Sequence, residues 1–416
     1  MNSLLPSPPT SRWAVPYYVK GLALGIPIYL AAIHMWTWAL IVPGSLATTG
    51  FDFRQIYAAA FMVRTGHANE LYVYEAQKQF QDTLVSPQKQ ALPFVSPAYE
   101  ALLFSPLTYS HFRTAYWAFL SLNVVALGVC VSLLRPWMSN ICAVFVWLPV
   151  AIFLGFLPLA AALIEGQDSV LLLTLMVCAF VLLTRQRSFS AGLVTGLAFF
   201  KFPIVLPVAV LFLIWRQWRF MAGFAISSAA VVCVSVWLTG FLQTKVYVEV
   251  LMSIAGFKPA TSGLSIYPVN WRMMANIHGL TVGLADGWIS ALGVRVLALL
   301  LSVAVLGWTA LRGRRINEAS SLLLLAVPCG VLVGHHTYVH DLSVLLLLVI
   351  VLLNACLPSE ADGNIRKRLI ARSAALMFVA PVMESFSPGH FYLVALPVLL
   401  LLIGSANAAL KNGLGL

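Results

Sequence analysis

Residues 190–215 read SAGLVTGLAFFKFPIVLPVAVLFLIW, and the path of the whole chain depends on them. The stretch is apolar enough for a membrane, but Lys201 and Pro203 interrupt its middle. It is either one kinked crossing or two short helices that enter and return. Charge favours the second. Short connections elsewhere hold Arg135; Arg185 and Arg187; Arg216 and Arg219; Arg312, Arg314 and Arg315; and Arg366, Lys367, Arg368 and Arg372. Such basic connections face the cytoplasm. With the N-terminus (Arg12, Lys20) inside, a single crossing would send 312–317 and 359–372 outward, against that rule. A hairpin without net crossing keeps every basic connection inside, Lys411 included, with Glu318, Glu360 and Asp362 as the acids there. We therefore expect a broken hairpin over 190–215.

Composition sets the fold class. The 416 residues are 61% hydrophobic and 9% charged, with a mean hydropathy of +0.91. A soluble domain carries about 25% charged residues. This chain belongs in a bilayer, and its continuous apolar runs point to helices rather than to a barrel of alternating strands. The expectation is an all-α polytopic membrane protein, one domain over 1–416. Its spans fall near 21–42, 112–134, 141–163, 168–184, 220–239, 288–311, 318–334, 339–357, 368–384 and 390–410. With the hairpin this makes about eleven or twelve passes. The span 21–42 is too long for a signal peptide and is expected to be an uncleaved anchor. The net charge of +11 is scattered over short loops, so it speaks of orientation and not of nucleic acid. Six cysteines lie in apolar runs without a CxxC pair and read as small buried hydrophobes. Two long loops, 43–111 and 240–287, face outward with most of the acids. They have room for amphipathic helices lying on the bilayer, as at Tyr57–Thr65 and Tyr74–Val85.

Several clusters could carry chemistry. In TGFDFRQIY (49–57), Asp52 sits between Phe51 and Phe53, rings able to dip into the interface, with Arg54 beside it. A partly desolvated carboxylate there suits a general base. It would equally serve as the N-cap of a helix beginning at Phe53, with Gln55 completing a capping box. LPFVSPAYEALLFSPL (92–107), broken by Pro93, Pro97 and Pro106, is a re-entrant element or a proline-rich loop. Lys201 is a cation within an apolar hairpin, where it would pair with a lipid phosphate or snorkel to the interface. GHHTYVHDLS (334–343) offers His335, His336, His340 and Asp341. They read as donors to a phosphate or sugar oxygen, as a metal pair, or as interfacial packing. With no HExxH and no clear third ligand, no metal is expected. EGQDS (165–169) is a tight outer turn whose Gln167 and Asp168 either serve the turn or bind a hydroxyl. KPATSGLSIYPVNWRMMANIHG (258–279) carries Tyr267, Asn270, Trp271 and Arg272, which stack on sugars or anchor at the interface.

These motifs, in this order, resemble glycosyltransferase family 87. DFRQIYAAAFMVRTGHANELY (52–72) is similar to that family's first outer loop. PFVSPAYEALLFSPL resembles its Phe-x-Tyr-Pro-Pro stretch, with Val95-Ser96-Pro97 in place of Tyr-Pro-Pro. GQDSVLLL and GLVTGLAFFKFPIVLPVAVLFLIWRQWR resemble its Gly-Gln turn and its glycine-rich segment. The resemblance covers roughly residues 45–350. It implies a bundle of the GT-C class and a polyprenyl-phosphate sugar donor, often mannose. It also implies a lipid or glycan acceptor, and action at the outer face of the bacterial inner membrane. Asp52 matches the family's base. Lys201, His335, His336 and Arg272 are then expected at the donor. Arg54, Tyr57, Gln167, Asp168, Tyr267, Asn270 and His340 are expected at the substrate. No nucleotide or other cofactor is expected, in keeping with the lack of a phosphate-binding glycine loop. A transporter or lipid flippase is the rival reading. It accounts less well for two long outer loops and a single broken hairpin.

Overall fold

The computed structural model describes residues 17–48, 51–254, 270–356, 365–385 and 389–412. It is helical; among the described residues the β pairing is one isolated bridge, Asp286 to Ile289. Helix α1 (Tyr17–Thr48) leads into a loop carrying α2 (Phe53–Arg64), α3 (Tyr74–Leu84) and α4 (Ala98–Phe104). Next come α5 (Phe112–Leu134), α6 (Ser139–Val144), α7 (Leu148–Gly155), α8 (Leu157–Glu165), α9 (Ser169–Thr184), α10 (Ser188–Leu197) and α11 (Phe202–Ile214). The rest are α12 (Trp218–Ile254), α13 (Ile277–Ala285), α14 (Ala291–Gly313), α15 (Ala319–Val333), α16 (Leu346–Cys356), α17 (Ile365–Val379) and α18 (Ala395–Asn412).

Among the described residues, five helical runs are long and apolar enough to cross a bilayer: Gly25–Leu46, Phe112–Val144, Ser188–Ile214, Trp218–Ile254 and Ala291–Gly313. A sixth would be α7 with α8, bent by 62°. The chain is a polytopic membrane protein. The expected eleven or twelve passes meet a different distribution of lengths, because several apolar helices are only 10–17 residues long. Their burial explains this. Helices α9, α15 and α16 are buried on nearly every face, so neighbouring protein, not lipid, surrounds them. They form the centre of the bundle.

Ser188–Ile214 satisfies length and composition for one crossing, but its packing shows a return. A Cβ on Gly192 would come within 2.0 Å of the Phe220 carbonyl oxygen, while the Phe220 ring lies 4.0 Å from that of Phe212. A straight helix would hold residues 192 and 212 roughly 30 Å apart. Helices α10 and α11 are therefore antiparallel arms joined by the 3₁₀ turn Ala198–Lys201. Small residues permit this. A Cβ on Gly223 would meet the Phe189 carbonyl at 2.1 Å, and one on Gly196 would meet Ser227 Oγ at 2.0 Å. Helices α10 and α12 thus run parallel at backbone contact, the geometry that glycine stripes allow in membranes. Gly192→Leu is expected to lower stability by roughly 1–3 kcal/mol or more, because the obstructing atom is backbone and cannot swing away. Gly128→Ala is the control, with no atom within 4 Å of the added carbon. Thermal unfolding of the two variants checks this.

The return puts Trp215 beside Gly313, where its Nε1 donates to the Ala310 carbonyl at 2.9 Å. The turns carrying Arg185, Arg187, Arg216, Arg219 and Arg314 thereby share one end of the bundle. Lys201, at the tip of the hairpin, lies at the other. Helix α12 breaks at Gly240 (φ 78°), where the second long loop begins.

In the first long loop, expected to carry helices lying on the bilayer, α2 packs against protein. Helix α2 buries Phe53, Arg54, Ile56, Tyr57, Ala58, Ala59, Ala60 and Met62. Its polar residues find partners within the loop. Arg54 Nε donates to Gln81 at 3.0 Å, and its Nη2 pairs with Asp82 at 2.9 Å. Gln77 Nε2 donates to the Leu71 carbonyl at 2.7 Å. The loop is a folded cap over the end of the bundle.

Candidate active site

Asp52 is delivered by a strained turn. Phe51 has φ +52°, a left-handed conformation that a large side chain seldom adopts. Its ring stacks on Tyr116, with centroids 5.8 Å apart. Phe53 is fully buried, 4.9 Å from Phe119 and 5.9 Å from Tyr116 between ring centroids. Burying such a ring stabilises by about 1.5–3 kcal/mol. Both phenylalanines pack on α5 and clamp the turn to it. The Asp52 side chain makes no capping bond to α2, which removes the N-cap reading. Its Oδ2 accepts instead from Gln167 Nε2 at 2.6 Å.

Gly166 makes that bond possible. It closes α8 at φ +66°, and a Cβ there would sit 2.6 Å from the Phe53 Cβ. No larger residue would let the EGQDS turn close on the Asp52 turn. Glu165, one residue earlier, accepts or shares a proton with His340 Nδ1 at 3.0 Å. One donor atom each of Asp52, Glu165 and His340 lies within 4.8 Å of the others. That spacing would fit a divalent cation, although a hydrogen bond already joins Glu165 to His340. Burial, and then the Glu165 charge, raise the Asp52 pKa above its ordinary value, opposed by His340, Gln167 and Lys201. A carboxylate so placed is a stronger base than a solvated one.

Lys201 is differently placed from either expectation. Its ammonium sits 2.8 Å from Asp168 Oδ1 and 3.0 Å from Asp341 Oδ1, both carboxylates almost wholly buried. Ser169 Oγ donates to Asp341 Oδ1 at 3.1 Å, and the Tyr338 amide donates to Asp341 Oδ2 at 3.1 Å. Lys201 neither snorkels nor offers spare charge to a phosphate. It ties the hairpin tip to the start of α9 and to the segment following α15, where a buried cation is tolerated because it is doubly paired.

These residues wall a cavity of about 730 Å³. Asp52, Gln167, Asp168, Lys201, His335, His336, His340 and Asp341 all line it. Apolar side chains such as Leu206, Pro207, Leu251, Met252 and Val333 complete it. Burial pushes the His336 pKa down to about 4 and also lowers that of His335, which favours neutral imidazoles at both. His335 Nε2 and His336 Nδ1 are buried without a hydrogen-bond partner among the described residues.

Other expected residues are elsewhere. Arg54 is held inside the first loop. Tyr57 donates its hydroxyl to the Ser110 carbonyl at 2.7 Å, in the aromatic cluster around Phe53. Arg272 pairs with Asp286 at 3.1 Å on an exposed face, and Asn270 Oδ1 accepts from the Arg272 amide. These four serve local structure because each is already partnered away from the cavity. Trp271 packs against His278 and His335, with centroids 4.1 and 4.9 Å away. Tyr267 lies outside the described residues. Glu165 and Glu100 are additions. Glu165 belonged to the quoted turn, but nothing in sequence spacing pairs it with His340, 175 positions on. A second cavity of about 450 Å³, lined by Trp215, Arg216 and Arg314, lies at the opposite end, away from these carboxylates.

The helical bundle thus holds a carboxylate-rich cavity that continues into apolar walls. Residues 94–334 match glycosyltransferase family 87, and the chain belongs to that family. Over 223 residues it is 30% identical to the alpha-(1->3)-arabinofuranosyltransferase of Corynebacterium glutamicum. That match takes in 51% of this chain and 47% of the relative, so the chain spans about half the length of the curated relative it matches. No solved structure matches it.

Proposed function

We propose that this chain transfers a sugar from a polyprenyl-phosphate donor to a hydroxyl of a lipid-linked or glycan acceptor, with inversion at the anomeric carbon. Asp52 takes the acceptor proton as the acceptor oxygen bonds to that carbon. The bond from the anomeric carbon to the phosphate oxygen breaks, and polyprenyl phosphate leaves with the electron pair. The observation that carries this reading is the setting of Asp52. It is a half-buried carboxylate of raised pKa, oriented by Gln167, at a cavity that carries further polar groups and continues into apolar walls. The apolar walls suit the prenyl chain. His335 and His336 are the groups with free capacity for the phosphate, since Lys201 is neutralised by Asp168 and Asp341. A bound anion would favour their charged forms. For the sugar, the relative's name favours arabinofuranose over the mannose expected from the motifs.

The basic turns at the opposite end support an outer-face site on a cytoplasmic membrane, with those turns inside. Cysteines introduced at Gln186 and Asn317 should react with an impermeant reagent from one side, and one at Asn69 from the other. Reaction of Gln186 and Asn317 from opposite sides would overturn this threading. The activity itself is tested with purified protein, radiolabelled polyprenyl-phosphate arabinofuranose and polyprenyl-phosphate mannose, and a membrane lipid extract. A labelled glycolipid supports transfer; translocated but unmodified donor would make the protein a flippase.

A further inference from the structure

Glu100 lies in the first turn of α4 and is 1% exposed, yet it belongs to the wall of the same cavity as Asp52. Its carboxyl reaches Ser96 and Asp168. Its Oε2 has no hydrogen-bond partner among the described residues. Buried polar atoms are nearly always paired, so an unpaired one needs an explanation. Asp168 supplies part of one, since a protonated Glu100 can share its hydrogen with that carboxylate; the rest of the carboxyl's capacity stands in the cavity wall. Ala98 and Ala101, its neighbours on the buried side of α4, are apolar, and Lys201 is already held by two carboxylates. His335 Nε2 and His336 Nδ1, also without a hydrogen-bond partner among the described residues, line the same cavity.

We propose that Glu100 recognises the sugar of the donor, hydrogen-bonding one of its hydroxyl groups inside the cavity. This rests on the polyprenyl-phosphate reading above. The chemistry selects a hydroxyl. With Asp168 and Asp341 close by, this part of the wall is acidic and would repel a phosphate, whereas a sugar hydroxyl is neutral and both donates and accepts. Burial, and then the Asp168 charge, push the Glu100 pKa well up, which favours its protonated form. In that form its carboxyl can also give a hydrogen bond as well as accept one.

The test uses the full chain in detergent and three probes: polyprenyl phosphate without sugar, polyprenyl-phosphate arabinofuranose and polyprenyl-phosphate mannose. Glu100→Met keeps an unbranched stem and removes the hydrogen bond. Its affinity for a sugar-bearing probe should fall roughly tenfold while bare polyprenyl phosphate binds as to the wild type. Glu100→Gln should recover most of the loss, because an amide also donates and accepts. A purely structural role would lower affinity for bare and sugar-bearing lipids alike, and that result overturns the proposal. So does no loss at all. If Glu100→Met does not fold, singly deoxygenated donors on the wild type decide. One position should cost about tenfold, and no cost at any position overturns the proposal. A wild type that binds none of the three probes would instead remove the donor reading on which this rests.

Discussion

Asp52→Asn folds as the wild type does and turns over roughly 10²–10⁴-fold more slowly, the range expected for loss of a positioned base. The fold survives because Asp52 makes no capping bond that the change could break. Its partner Gln167 donates, and the asparagine carbonyl still accepts. Donor affinity also survives, because the base acts on the acceptor. Thermal unfolding, donor binding and kcat measured on one preparation separate these outcomes. The pH profile gives a second readout. A general base works when deprotonated, so kcat/KM falls as pH drops through its pKa. With burial and Glu165 raising that pKa, the acid limb should lie above 3.8, the ordinary aspartate value, and should be absent from the residual activity of the Asn variant. Near-normal turnover of Asp52→Asn would move the base to Glu165, the nearest other carboxylate of the cluster. Asp168 and Asp341 are poorer substitutes, since each is spent on Lys201.

Composition and apolar runs carried the fold class, because burying hydrocarbon in a bilayer leaves a signature in every segment. Local motifs also carried the elements that meet at the site: the Asp52 turn, the EGQDS turn, the hairpin tip and the histidine-bearing segment all line the cavity. Partnership was much less legible. The Asp52–Gln167 bond joins residues 115 positions apart, and the Ser169–Asp341 bond joins residues 172 apart. No local period encodes such distances. Local sequence therefore shows a polar residue's charge but not its partner, which can be the protein itself. Arg54 is the plainest example. Its charge beside Asp52 in sequence suggests a site residue, but the helical turn sends its guanidinium toward Asp82. Glu100 went the other way: it sits in an apolar run that reads as interfacial, and only the folded wall reveals its unpaired oxygen.

Lys201→Met should lose most of its folded population, at a cost of roughly 3–5 kcal/mol, before any effect on donor binding can be measured. The reason is what stays behind. Removing the ammonium leaves Asp168 and Asp341, each about 3% exposed at the side chain, with His340, 3.6 Å from Asp341, as the remaining neighbour able to carry positive charge. Both Asp168 and Ser169 lie where α9 begins, and Asp341 accepts from the Tyr338 amide, so repulsion there would loosen the α9 start and the histidine segment together. Compensation supplies the proof. Lys201→Met combined with Asp168→Asn and Asp341→Asn removes all three charges at nearly constant volume, and should regain much of the lost stability if neutralisation is the lysine's work. Detergent-stable yield and melting temperature read the result. If Lys201→Met alone melts as the wild type does and fails to bind polyprenyl phosphate, the lysine is a phosphate ligand after all. The two carboxylates would then be satisfied by some other cation in the lysine's absence. If the triple variant is no more stable than the single one, the lysine's stem packing, not its charge, holds the hairpin tip.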